Sequence, residues 1–169
     1  MPPYTELDEK QLNEITAVFD IGRVTQFSAL EGGSENSNYR IDTDDSSYVL
    51  TLCEAKSKKK VCELADLLTH LEANGFKSSR VLATSSGGYL SSYKSKPILL
   101  KEFLHGEIIE DLHEETLFEI GASMAALHAV PVPQTMQNRF LYGTDILIVA
   151  DALSDHPFAG WVADAKKYI

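Results

Sequence analysis

"EGGSENSNYR", residues 31–40, lies between two apolar runs that read as β-strands. Two residues are enough to join antiparallel neighbours, yet this connection carries Gly32, Gly33, Ser34, Asn36 and Asn38. Small residues leave the backbone uncovered, and successive N–H groups in such a turn converge on an anion with no side chains in the way. Such a loop can therefore fold over phosphate groups. Its pattern is neither a Walker sequence nor a full G-x-G-x-x-G, and a plain surface loop has the same composition.

Outward from this loop the chain reads as α+β. Before it, residues 5–8 resemble a capping box, and Leu12, Ile15 and Phe19 then recur at helical spacing until Gly22. Strands follow at 24–30, 38–43 and 47–53, the last two separated by Asp44, Asp45 and Ser46. Val61, Leu64, Leu68 and Leu71 then share one face of a helix that Gly75 terminates. Residues 80–84 and 89–93 flank Ser85, Ser86, Gly87 and Gly88 like a second hairpin, and Pro97 opens the apolar run to Phe103 and Leu104. The expected sheet is antiparallel, of about five strands, with one helix inserted after the third. Leu117, Ile120, Met124, Leu127 and His128 mark another amphipathic helix, on which His128 reads as a packed, hydrogen-bonded core residue. One or two further helices are expected over 145–169.

Composition limits the function. The 169 residues are 44% apolar, sufficient for a real core. A net charge of −10 argues against a nucleic-acid surface, and the cluster Lys56, Lys58, Lys59 and Lys60 reads as a solvated helix start. Cys53 and Cys62 suggest neither a disulfide framework nor a zinc site, which fits a reducing cytoplasm. No run approaches 18 apolar residues, so no membrane partner is expected.

Several segments together carry a family resemblance: "FDIGRVTQFSALEGGSENSNYRIDT", "YVLTLCE", "LLTHLEANG", "KPILLKEFLHGE" and "IGASMAALHAV". Across residues 1 to about 130 the chain resembles the N-terminal part of the homoserine kinase type II group, within the aminoglycoside and choline kinase superfamily. The resemblance implies a protein-kinase-like nucleotide lobe over residues 1–104 and the start of a helical lobe over 105–169. It implies ATP with Mg²⁺ as cofactors, and phosphorylation of a small-molecule hydroxyl. Homoserine is the acceptor nearest to the resemblance; choline, ethanolamine, an aminoglycoside or another amino alcohol are alternatives.

The resemblance also assigns residues. Gly32, Gly33, Ser34, Asn36 and Asn38 would cover the triphosphate. Thr51 stands where such kinases place a phosphate-holding lysine on the third strand. Strand alternation sets Val49, Thr51 and Cys53 on one face, so Val49 would cover adenine while Thr51 points toward phosphate. Glu63 is the candidate for the glutamate on the following helix, with Asp66 directed nearly opposite. Glu102, Phe103 and Leu104 would form the hinge whose backbone reads the adenine edge.

The superfamily's catalytic H-G-D-x-x-x-x-N loop and metal-holding aspartates have no match here. His105-Gly106-Glu107 has Glu for Asp, Leu112 where Asn belongs, and a position before the long helix; Asp145, Asp151, Asp155 and Asp164 lack the surrounding motif. No catalytic or metal-binding residue is therefore assigned. The expectation is a kinase fragment with its catalytic loop elsewhere; the other reading is a complete, non-catalytic binding or interaction module. Either would leave an apolar lobe face able to self-associate.

Overall fold

A computed structural model describes residues 5–31, 35–107, 109 and 112–136. Gly32, Gly33 and Ser34 lie outside the described residues, as do the four late aspartates and the helices expected over 145–169. The chain divides into two compact units, Met1–Pro131 and Val132–Ile169. In the second, the described residues carry a 3₁₀ turn, Gln134–Met136, closed by the Met136 N–H donating to the Pro133 carbonyl at 2.9 Å.

The first unit begins with α1 (Glu9–Thr16). Its capping box is Asp8 with Gln11, one turn later than residues 5–8 suggested: the Asp8 carboxylate accepts from the Gln11 N–H at 2.8 Å, and the Gln11 side chain accepts from the Asp8 N–H at 3.2 Å. Thr5 is drawn instead into a network with Glu54 and Lys96. The helix ends well before Gly22, whose φ of +75° serves the turn into the first strand.

Strands β1 (Val24–Leu30), β2 (Asn36–Thr43) and β3 (Ser47–Cys53) form an antiparallel meander. α2 (Lys58–Ala73) follows, capped at its start by the Ser57 hydroxyl. It ends in a Schellman arrangement around Gly75 at φ +74°: the Gly75 N–H donates to the Glu72 carbonyl and the Phe76 N–H to the Leu71 carbonyl, both at 2.9 Å.

The expected hairpin over 80–93 does not form. Residues 80–84 make isolated contacts, Val81 bridging to Lys101 and Thr84 to Phe19. The short β4 (Ser91–Tyr93) pairs with β5 (Lys96–Glu102) through Lys94 and Ser95, both at positive φ (47° and 66°). That two-residue turn matches strand twist. The Ser85–Gly88 stretch closes a separate local turn, with the Thr84 N–H donating to the Gly88 carbonyl at 2.6 Å. The sheet order is β1-β2-β3-β5-β4, antiparallel throughout.

Alternation along the strands divides the apolar residues between two clusters. Tyr39, Ile41, Leu50, Leu52, Ile98 and Leu100 pack with Leu12 and Ile15 of α1 on one face. Cys53 and Leu99 pack with Val61 and Ala65 of α2 on the other. Burying a side chain such as Leu50 or Leu52 contributes about 2 kcal/mol.

α3 (Glu114–Ala129) has the expected helical spacing but no buried residue. Leu117, Ile120, Met124 and Leu127 are exposed, and Phe118 is 77% exposed. His128 is likewise exposed and not the core residue anticipated, because no described element covers this helix face. Among the described residues, no helix is long and apolar enough to cross a membrane.

Candidate functional site

The α2 side of the sheet carries Asn36, Asn38, Val49 and Thr51. Asn36 and Asn38 open β2 on that face, opposite Cys53 and Thr51 respectively. Thr51 is 4% exposed, and its hydroxyl donates to Asn38 Oδ1 at 2.9 Å. Its proton is therefore engaged within the sheet. Asn36 Oδ1 is buried without a partner among the described residues. Since amide oxygen and nitrogen can exchange places, Asn36 can present a donor or an acceptor to a ligand there.

Val49 lies midway in a row running Arg40, Val49, Lys101 across β2, β3 and β5. Arg40 Nε donates to Asp42 Oδ1 at 2.9 Å, and its guanidinium lies 4.5 Å from the centroid of the Phe103 ring. The Ser47 hydroxyl, donating at 2.5 Å, is the first cause that holds the Asp42 carboxyl below its usual range, and Arg40 adds to it against the effect of burial. Lys101 is half-buried on the face it shares with Leu99. Burial pulls its ammonium pKa below the ordinary lysine value.

Glu63 is half-buried on α2, whereas Asp66 is exposed. Lys56 pairs with Glu35 at 2.5 Å, joining the start of α2 to the residue preceding β2, while Lys58, Lys59 and Lys60 are exposed. Glu35's carboxyl is held below its usual range first by the Lys56 hydrogen bond.

At the exit of β5, Glu102 is tied on three sides. Its N–H donates to the Arg80 carbonyl at 2.8 Å, its carbonyl accepts from the Ser79 hydroxyl at 2.6 Å, and its carboxylate pairs with Arg80. The Phe103 N–H donates to the Ser47 carbonyl at 3.0 Å. Leu104 is 62% exposed. Its N–H has no partner among the described residues, and the Glu102 carbonyl keeps a second lone pair. Among the described residues, these two groups on alternate residues are hydrogen-bonding positions left open at this exit. His105 stacks edge-on against Phe103, with centroids 5.0 Å apart. Among the described residues, no group of three or more His, Cys, Asp or Glu side chains is arranged to hold a metal.

The opposite face carries a polar hub that sequence reading missed. Glu54 accepts from Lys96, from the Ser37 hydroxyl and, at 2.7 Å, from the Thr5 hydroxyl. The Tyr39 hydroxyl donates to the Thr5 carbonyl at 2.6 Å and accepts from the Leu7 N–H at 3.1 Å. The hub fastens the N-terminal segment to the sheet.

The architecture is that of the kinase-like phosphotransferases. Spectinomycin phosphotransferase APH(9)-Ia, solved with ADP and spectinomycin, matches with a TM-score of 0.67 and 17% identity, over 88% of this chain and 46% of that one. Amicoumacin kinase hAmiN, solved with AMP-PNP, Ca²⁺ and Ami, matches with a TM-score of 0.58 and 16% identity, over 86% of this chain and 48% of that one. Residues 26–160 match the APH model, and the chain belongs to that phosphotransferase enzyme family. Within it, the chain is 32% identical to homoserine kinase of Caulobacter vibrioides over 129 residues, 76% of this chain and 41% of the relative. It is 30% identical to homoserine kinase of Xanthobacter autotrophicus over 170 residues, 98% of this chain and 53% of the relative. The chain thus spans about half the length of these curated relatives.

Proposed function

We propose that this chain is the nucleotide-binding lobe, residues 1–104, and the first part of the helical lobe, residues 105–169, of an ATP-dependent kinase acting on a small-molecule hydroxyl. The observation that carries this reading is the joint placement of Asn36, Asn38, Val49 and Thr51 on the α2 side of the sheet, which β5 leaves toward Leu104. Homoserine, or a related amino alcohol, is the acceptor supported by the similarity to homoserine kinases.

In this reading the adenine edge meets the Glu102 carbonyl and the Leu104 N–H, Val49 covers the ring, and Asn36 with the loop at 32–34 faces the phosphates. ATP supplies the transferable phosphoryl group. Mg²⁺ would be held by carboxylates of the helical lobe, and phosphoryl transfer would require a carboxylate there to orient the acceptor. The lone H-G-E at residues 105–107 does not supply that carboxylate, so the 169 residues are expected to bind nucleotide without turning over an acceptor. The free thiols of Cys53 and Cys62 accord with a reducing cytoplasm. The exposed face of α3 accords with a surface covered by the remainder of the helical lobe, or by a second copy.

Calorimetric titration with ATP and Mg²⁺ tests the reading, with homoserine phosphorylation assayed in parallel. Binding in the high micromolar range with no phosphohomoserine is expected. Absence of binding to ATP, ADP and adenosine alike would contradict it.

A further inference from the structure

Thr51 leaves a polyphosphate without a cation from β3, and its proton is already donated to Asn38. The neighbouring strand supplies a cation to the same face. The register pairs Thr51 with Leu99 and Val49 with Lys101, so Lys101 lies one cross-strand row from Thr51. Such diagonal neighbours lie roughly 7–8 Å apart, within reach of a long side chain. Strand alternation puts Lys101 with Leu99 on the face that Val49, Thr51 and Cys53 share, the side toward α2.

Lys101 is half-buried without an ion pair among the described residues, whereas the other cations that lack one, such as Lys58, Lys59, Lys60 and Lys77, are exposed. Arg40 pairs with Asp42, Lys56 with Glu35, Arg80 with Glu102 and Lys96 with Glu54. A desolvated ammonium without an anion is unfavourable, and an anionic ligand relieves it. Asn36, the cross-strand partner of Cys53, presents its unpartnered amide oxygen on the same face, two rows beyond the Val49–Lys101 row and past Thr51.

We propose that Lys101 is the lysine that binds the nucleotide's phosphates, supplied by β5 in place of β3. This rests on the nucleotide-lobe reading and adds to it a specific residue. The burial that lowers the Lys101 pKa is consistent with a site completed by a bound anion.

The test titrates ATP and adenosine against the wild-type chain, Lys101→Met and Lys101→Arg, with thermal melts of each protein alone. Lys101→Met is expected to weaken ATP binding by about tenfold or more, the scale of losing a charge-assisted contact, while adenosine binding stays within about twofold. Removing an unpaired charge is expected to raise the melting temperature of the ligand-free protein. Lys101→Arg should retain an intermediate ATP affinity. If the wild type binds ATP and Lys101→Met binds it equally well, the assignment to phosphate is overturned and the lobe reading stands. Equal loss of ATP and adenosine would make Lys101 a structural residue and overturn it too. If the wild type binds neither ligand, the lobe reading fails and takes this assignment with it.

Discussion

Thr51 of β3 and Asn38 of β2 are cross-strand partners, and the Thr51 hydroxyl donates to Asn38 Oδ1 at 2.9 Å. Two residues named as phosphate contacts thus hold each other. Thr51→Val keeps the shape and β-branching of the side chain but leaves the Asn38 oxygen without its donor. The expected cost is about 1 kcal/mol of stability, read by urea denaturation. An unchanged denaturation midpoint would show that the pair contributes nothing.

Glu54 gives the pH dependence a defined sign. Burial alone would raise its pKa, but hydrogen bonds from Lys96, Ser37 and Thr5 outweigh burial and hold it below the ordinary 4.5. A depressed folded-state pKa contributes stability that is present above pH 4.5 and is lost as pH falls through the folded value. Glu54→Gln should therefore cost about 1–3 kcal/mol at neutral pH and flatten the acid limb of the stability curve. Melts from pH 7 to 3 that remain parallel for the two proteins would contradict this.

The β4–β5 turn places two ordinary residues, Lys94 and Ser95, at φ 47° and 66°. Asn-Gly suits that conformation far better. The double substitution Lys94→Asn with Ser95→Gly should stabilise the chain by about 1 kcal/mol, seen as a higher melting temperature. A lower one would mean that the Lys94 contact with the Tyr93 ring, 5.1 Å from the centroid, matters more than backbone strain.

Leu50 and Phe118 differ in burial, 0% exposed against 77%. Leu50→Ala should cost about 2–5 kcal/mol, while Phe118→Ser should change stability by less than about 0.5 kcal/mol and improve solubility. Chemical denaturation with light scattering separates the two effects. A large loss of stability in Phe118→Ser would show that the α3 face is covered in solution.

The legible parts of the fold were those carried by local composition and spacing. β1 and β3 follow from short apolar and β-branched runs bounded by turn residues, and α2 from apolar spacing at 61, 64, 68 and 71 with Gly75 as a stop. Pairing was less visible because turn chemistry misled. Ser85-Ser86-Gly87-Gly88 looks like a hairpin turn and is only a local one, whereas Lys94-Ser95 has no glycine or asparagine and makes the true connection. The first capping box shifted because Thr5 finds stronger partners in Glu54 and Lys96, 49 and 91 residues away in sequence. The candidate site was legible as faces but not as partners. Val49 and Thr51 fall on the expected side, yet no local pattern announces that Asn38 holds the Thr51 proton. Lys101 gave one overlooked signal: a lone cation ending the apolar run Ile98-Leu99-Leu100.

If the α2 side of the sheet receives the nucleotide, backbone amide chemical-shift mapping during an ATP titration should show perturbations at Asn36, Asn38, Val49, Thr51, Lys101 and Leu104, with Tyr39, Leu50 and Leu52 much less affected. Perturbations concentrated around Thr5, Tyr39 and Glu54, on the face toward α1, would contradict that placement.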